Sequence, residues 1–417
     1  MLKRNINLNL DESVLHRLVF PQVLLILLCV FILPVLSSIL TGTILLSILF
    51  FICFDRKKRI LKRIRANLID ILILGIAYFL CILGMLLTEE AYIANGFKKV
   101  ETQASLLLFP IIFSCLTFSR DDLFKLIRWL YLILLLAFFL STAYSFSTNG
   151  FHLNELMKWF AEHAHRTYVS LYIVFLSTTL FLFFSTKKTA NKKHKTLGVL
   201  VLAVGILISQ ILESRMALVC IIIIMGMLVL IMPDTRMKWI GLICILGFMV
   251  FSLFILMPNS SRGKTFIEKY KKVFVRDEHY RPYHFEIRFG VWESSLIVIK
   301  ENLMFGVGTG DVDHELKSAS AKNLLPKHLH YTNVHNQYLD MILRYGLFGF
   351  VIWIITIIYF FRIAMLRKDY SYIIFLVTVH VFFLTENIIG RQMGVMFYSI
   401  FNSMFYFVNK KDKTIAI

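Results

Sequence analysis

The sequence predicts an all-α fold: a polytopic transmembrane helical bundle of about twelve spans. Three observations carry that expectation. Of 417 residues, 58% are Ala, Val, Ile, Leu, Met, Phe, Trp, Tyr or Cys, and the mean hydropathy is +0.72. Only 17% are charged, against about a quarter in soluble globular domains. The chain has 39 Phe but only 7 Pro and 19 Gly, so collagen-like and disordered classes are excluded as well.

Apolar runs of about 20 residues, the length that crosses a hydrocarbon core, recur along the chain. They lie at roughly 18–34, 36–54, 67–87, 100–118, 123–146, 166–185, 196–212, 215–232, 238–257, 344–364, 371–388 and 392–409. In lipid these must be helices, because open strands would leave backbone groups unpaired. The first run follows a polar start and has no small-residue cleavage site after it, so it is expected to be retained rather than removed as a signal peptide.

The runs divide the chain into membrane helices 1–9 (1–257), a large loop (258–343) and membrane helices 10–12 with a tail (344–417). The net charge of +19 then resolves into an orientation signal. Basic residues crowd the segments on one side, such as 55–65, 187–195 and Lys410, Lys411 and Lys413. The positive-inside rule makes this side cytoplasmic. Both termini are then cytoplasmic and loop 258–343, with short amphipathic helices, is periplasmic. No nucleic-acid partner is implied. All six cysteines fall within the runs, so no disulfide framework is expected in the loop.

Candidate chemistry gathers on the outer side. Arg215 opens the eighth run. It is read either as a partner of Glu213, or a headgroup-snorkelling residue, or as an anion clamp, since a guanidinium donates two parallel bonds to a phosphate. In the loop, Phe289, Trp292, Leu296 and Ile299 recur at helical spacing within 284–302, which predicts an amphipathic helix lying on the membrane surface. Arg288 lies one turn before Trp292. The stretch FGVGTGDVDHEL (305–316) is glycine-rich but follows no strand of a βαβ unit; a nucleotide loop is rejected in favour of a tight turn near the membrane. Asp311, Asp313, His314 and Glu315, like His328 and His330, are expected to be solvated rather than metal-bound.

The segment NVHNQYLDMILRYGLFGF (333–350) is more specific. Asn333 is expected to cap a short helix, with Asp340 and Arg344 paired at i,i+4 and Gly346 ending it. His335 then sits in the first turn, where imidazole suits a general base; a lone structural histidine is the alternative. In TENIIGRQMGVMFY (385–398), Glu386 and Arg391 read as a salt bridge within a hairpin, or as a pair facing sugar or phosphate. The first outer turn, 34–42, lacks any acid, which points to a metal-free mechanism with no cofactor.

These motifs together resemble the O-antigen ligase/O-antigen polymerase superfamily of bacterial inner-membrane glycosyltransferases. The resemblance rests on FGVGTG followed by HNQYLDMILRYGLFG, supported by SRMAL (214–218), the EIRFGVW helix and HRTYVSLY (165–172). It implies an enzyme that takes a glycan from undecaprenyl diphosphate and transfers it to an acceptor hydroxyl, such as that of lipid A-core, on the periplasmic face of the inner membrane. It also implies His335 as the base and Arg215 and Arg288 as the diphosphate clamp. Asn336, Arg391, Glu386, Arg166 and His165 are implied as substrate-binding. HRTY departs from the His-Pro found in many relatives, which leaves the roles of His165 and Arg166 open. A repeat-unit polymerase and a protein O-oligosaccharyltransferase are siblings that these motifs separate poorly. A flippase for the same lipid-linked glycan is disfavoured, since polar groups cluster at the outer face rather than along a path.

Overall fold

The computed structural model describes residues 12–32, 34–54, 59–149, 165–186, 192–212, 214–231, 287–322 and 333–411, with isolated positions 239, 243 and 247. Among them every regular element is helical. Along the chain these are α1 (Glu12–Ile32), α2 (Pro34–Phe54), α3 (Arg59–Ala66), α4 (Leu68–Leu74), α5 (Ile76–Gly84), α6 (Ile93–Gln103), α7 (Ser105–Cys115) and α8 (Arg120–Asn149). Then follow α9 (Arg166–Thr186), α10 (Lys192–Ile211), α11 (Arg215–Ile231), α12 (Ile287–Glu301), α13 (Val312–Lys322), α14 (Gln337–Leu366), α15 (Tyr370–Phe383) and α16 (Gln392–Lys411). Short 3₁₀ turns occupy Met85–Leu87, Glu90–Tyr92 and Ile388–Gly390.

Five of these helices (α2, α8, α9, α10 and α14) are long and apolar enough to cross a membrane, and the bent pair α4–α5 would make a sixth. The protein is therefore a multi-pass helical membrane protein. Several expected spans differ from the sequence reading: α1, α11 and α15 supply only shorter apolar helices, and two further runs are broken. The run 67–87 breaks at Gly75, with its halves 62° apart. The run 100–118 breaks at Ala104, because α6 is polar along much of its length and α7 has only 11 residues, about 16 Å of rise where a core is about 30 Å thick. The run 238–257 lies almost wholly outside the described residues.

Helix α9 forms the centre. Tyr168 to Leu182 are buried without a break, as expected of a helix that is apolar all round. The hydroxyls of Ser177 and Thr178 bond back to the carbonyls of Ile173 and Val174 at 2.7 and 2.6 Å, so they do not disturb this setting. Helices α8, α10, α11, α15 and α16 surround it. Phe175 meets Phe375, Phe397 and Phe401 with centroids 5.6, 5.5 and 4.8 Å apart, all edge-on, the geometry ring quadrupoles favour. Five described cysteines (Cys29, Cys53, Cys81, Cys115 and Cys220) are free thiols.

A smaller core caps one end, where Val298, Val312, Leu316, Val334 and Leu343 pack α12 and α13 onto the start of α14. Helix α12 matches the loop helix expected from sequence, but its apolar residues do not share one face. Val291, Val298 and Ile299 turn inward, whereas Phe289 and Leu296 are exposed. At 100° per residue, Phe289 and Leu296 lie together on the far side from Val291 and Val298, so the helix is clamped by protein on one side only.

Candidate active site

The site is assembled where three separate segments meet: the start of α12, the turn before α14 and the α15–α16 connection. Its backbone frame is the stretch 303–311. Helix α14 is interrupted at Gly346, whose φ of 63° and ψ of −170° lie outside the helical region. The expected stop at this glycine is therefore present, as a kink between the short helix and the following span. Through it, Leu347 N and Phe348 N donate to Leu303 O and Met304 O at 2.8 and 3.2 Å. Val307 N and Gly308 N donate to Leu343 O and Arg344 O at 2.8 and 3.1 Å.

A Cβ on Gly346 would lie 2.3 Å from the Met304 carbonyl, and one on Gly306 would lie 2.5 Å from Leu343 O. The glycine-rich stretch is thus a backbone clasp around the kink. It also ties down the α5 end, since Thr309 N and Oγ1 donate to Gly84 O and Cys81 O at 3.1 and 2.7 Å.

Beneath the clasp, Arg344 Nε donates to Asp340 Oδ2 at 3.0 Å and Nη1 donates to Thr309 O at 2.6 Å. The i,i+4 pair expected from sequence exists, but both side chains are buried. Asp311 departs from expectation. It is 3% exposed rather than solvated, and Oδ1 accepts from Glu89 N at 3.1 Å. It belongs to the clasp and is withdrawn from water by its neighbours. His314 is exposed, stacks on Tyr92 and lies 3.3 Å from Glu315. His328 and His330 lie outside the described residues. Among the described residues no three His, Cys, Asp or Glu side chains are grouped to hold a metal ion.

The helix start also differs in register from the sequence reading. Asn336, not Asn333, caps α14; its Oδ1 accepts from Tyr338 N at 2.9 Å and Leu339 N at 3.1 Å. Asn333 Oδ1 instead accepts from His335 N at 3.0 Å. His335 therefore precedes the helix, with a φ of 51°. A non-glycine residue held in the left-handed region costs on the order of 1–3 kcal/mol and is concentrated at functional sites. The Asn333 side-chain carbonyl accepts from the backbone N–H of His335, while Asn336 caps the helix that follows it.

Glu386 is the hub. It is 2% exposed, with Oε2 3.4 Å from His335 Nδ1 and Oε1 3.6 Å from Arg288 Nη2. A carboxylate only accepts, so Nδ1 of His335 carries a proton, and in the neutral imidazole this leaves Nε2 with the lone pair. Burial pushes the Glu386 carboxyl up. The His335 hydrogen bond, the Arg288 guanidinium and, when protonated, the imidazoles of His335 and His165 outweigh burial and hold it below the ordinary carboxylate range.

Arg288 is aimed by α12, which is anchored one turn later by Trp292 Nε1 donating to Val334 O at 3.0 Å. The expected Glu386–Arg391 bridge is absent among the described residues. The Ile388–Gly390 turn buries Ile388 and Ile389, with Ile389 N bonded to Gln337 Oε1 at 2.8 Å, and leaves Arg391 exposed on its far side.

His165 and Arg166 open α9 nearby. His165 feels the charges of Glu386, Arg391, His335 and Arg166, while burial, the largest influence, pushes its imidazole down. Arg215 is exposed at the start of α11 and is not among the ion-pair partners of Glu386. The structure thus brings His335, Arg288, Glu386 and His165 together, with Arg391 at the rim. Sequence reading missed Gln337 and Asn387. The available signal was the setting of Glu386 and Asn387 in an apolar hairpin, where a carboxylate needs partners from other segments.

Residues 197–354 match the family model described as O-antigen ligase. Over that stretch the chain is similar to the O-antigen ligase family. The match spans α10 through the first part of α14, and so includes Arg215, Arg288, Asn336 and His335. His165, Arg166, Glu386 and Arg391 lie outside it. A protein of Haemophilus influenzae described as uncharacterized is 30% identical over 132 residues; this covers 29% of the chain and 33% of that relative. The chain therefore aligns with about a third of the length of the relative it matches.

Proposed function

We propose that this protein transfers a preassembled glycan from undecaprenyl diphosphate to a hydroxyl of lipid A-core, at the periplasmic face of the bacterial inner membrane. The observation that carries the reading is the contact between His335 Nδ1 and the buried Glu386, which leaves Nε2 as proton acceptor. Within the reading, the acceptor oxygen attacks the anomeric carbon and His335 takes its proton. The bond from that carbon to the diphosphate breaks, and its electron pair leaves with the phosphate. Arg215 and Arg288 neutralise the charge that develops on the leaving group, so no metal is required. A single displacement of this kind inverts the anomeric centre. Asn336 shapes the turn that presents His335, and Glu386 acts through His335 and Arg288. His165, Arg166 and Arg391 line the glycan side.

The reading includes twelve spans with both termini cytoplasmic, and the division into 1–257, 258–343 and 344–417. It is supported by the positive-inside charge pattern. The deciding experiment incubates the purified protein with lipid-linked glycan and lipid A-core. Glycosylated core is the expected product. Lengthening of the lipid-linked glycan without core modification would make the protein a polymerase, and movement of intact donor across a vesicle membrane without transfer would make it a flippase.

A further inference from the structure

The connection that carries Glu386 also buries polar atoms that nothing satisfies. Asn387 is 4% exposed, and its Oδ1 has no hydrogen-bond partner. His165 Nδ1 is likewise buried and unpartnered. One scaffold links the two. The ring of Tyr168, itself fully buried, meets His165 edge-on with centroids 5.3 Å apart, and its hydroxyl donates to Asn387 O at 3.3 Å. Both residues border Glu386: Asn387 follows it in the chain, and His165 feels its charge.

Leaving a buried polar atom unpaired costs about 1–3 kcal/mol, so two such atoms flanking one carboxylate require an explanation. The chemistry of the pair narrows the ligand. Asn387 Oδ1 only accepts, while a neutral imidazole nitrogen either accepts or donates. A hydroxyl can serve either atom, because it both donates and accepts. An anion is disfavoured by Glu386 alongside, and a cation by Arg391 and Arg166, whose charges reach His165. What remains is an uncharged, hydroxyl-bearing ligand.

We propose that His165 Nδ1 and Asn387 Oδ1 form a subsite that binds a sugar hydroxyl beside the His335–Glu386 pair. This rests on the glycan-transfer reading for the identity of the sugar, but not for the presence of the subsite. Whether the hydroxyl belongs to the acceptor or the donor glycan is separated by the test.

Two measurements on the full chain in lipid nanodiscs decide it. In the first, methyl glucoside and methyl galactoside are used as probes in ligand-observed saturation-transfer NMR. Contact with wild type and with His335→Ala, weakened about tenfold in Asn387→Ala and His165→Ala, supports the subsite. Equal signals in all four proteins, or none in any, overturn it. In the second, transfer kinetics are measured with each substrate varied in turn. A KM raised about tenfold for one glycan, with kcat within about threefold, supports the subsite and names the source by which KM moves.

Partial rescue by His165→Gln, which restores a side-chain hydrogen-bonding group, also supports it. A fall in kcat with both KM values unchanged, or no change at all, means that the atoms hold water or serve packing only, and overturns the proposal. Unfolding temperatures identify misfolded variants, and a variant that fails to fold is replaced by Asn387→Leu or His165→Leu, which fill the space without a hydrogen-bonding group. If wild type binds the glycosides but transfers nothing, the catalytic reading fails and the subsite stands.

Discussion

His335 and Glu386, 51 positions apart, meet at 3.4 Å through Nδ1 and Oε2, and this contact fixes which imidazole nitrogen is free to accept a proton. His335→Ala is therefore expected to abolish transfer. Glu386→Gln keeps the shape but loses the acceptor that selects the tautomer, and should lower kcat by roughly 10²-fold or more with little change in KM. Wild-type turnover by either variant in a purified assay would contradict the assignment.

Arginine at 215 and 288 is expected to act through its planar fork, which lysine lacks. Arg215→Lys and Arg288→Lys should each reduce kcat by about 10²–10³-fold, the range for losing one donor to a developing anion. Donor binding measured separately should weaken less. If the lysine variants turn over at near-normal rates, the clamp needs only positive charge.

Stability should depend on pH in two steps of the same sign. Burial outweighs the neighbouring carboxylate at His165 and lowers its pKa below 6.5, so the unfolded chain binds the proton first and stability falls as pH drops below about that value. At Glu386 the partners outweigh burial and hold the folded pKa below 4.5. That contribution is present above 4.5 and is lost as pH falls through the folded value. The unfolding temperature in detergent should be level from pH 7 to 8 and then decline in both windows. His165→Gln should flatten the first decline and Glu386→Gln the second. A protein that becomes more stable on going from pH 7 to 5 would contradict the first step, and one that becomes more stable as pH falls below 4.5 would contradict the second.

Gly346 should be intolerant of any side chain. Gly346→Ala forces a Cβ against the Met304 carbonyl at 2.3 Å while keeping φ at 63°. We expect a clear loss of unfolding temperature. Gly226→Ala, where nothing lies within 4 Å, should be neutral or gain up to roughly 0.5–1 kcal/mol from helix propensity. Equal unfolding temperatures for the two variants would remove the clasp from the account.

Chelation tests the metal-free mechanism directly. Excess EDTA is expected to leave the rate of glycan transfer unchanged. Loss of activity that Mg²⁺ or Ca²⁺ restores would bring back a metal, with Asp313, His314 and Glu315 as the first candidates.

Several features were legible in the sequence because they depend on local rules. The helical membrane class follows from composition, and the α14 kink from Gly346. The Asp340–Arg344 pair follows from i,i+4 spacing, and the presence of the loop helix, though not its buried face, from the spacing of its apolar residues. Each is decided within a few residues along the chain. The helix cap was missed by one turn because Asn333 and Asn336 are equally good caps by type. Only the path of the chain shows that Asn333 is used to hold His335.

Tertiary structure decided what long-range partners decide. It paired Glu386 with Arg288 and His335 from other segments and not with Arg391, five positions on. It turned Asp311 from a solvated acid into a buried acceptor, and the glycine stretch from a generic turn into a clasp. Sequence by itself determined that this chain is a helical membrane protein with its reactive residue types in three distant segments. Folding alone determined which of them touch, because a buried carboxylate must find its partners in three dimensions and spacing along the chain does not encode them.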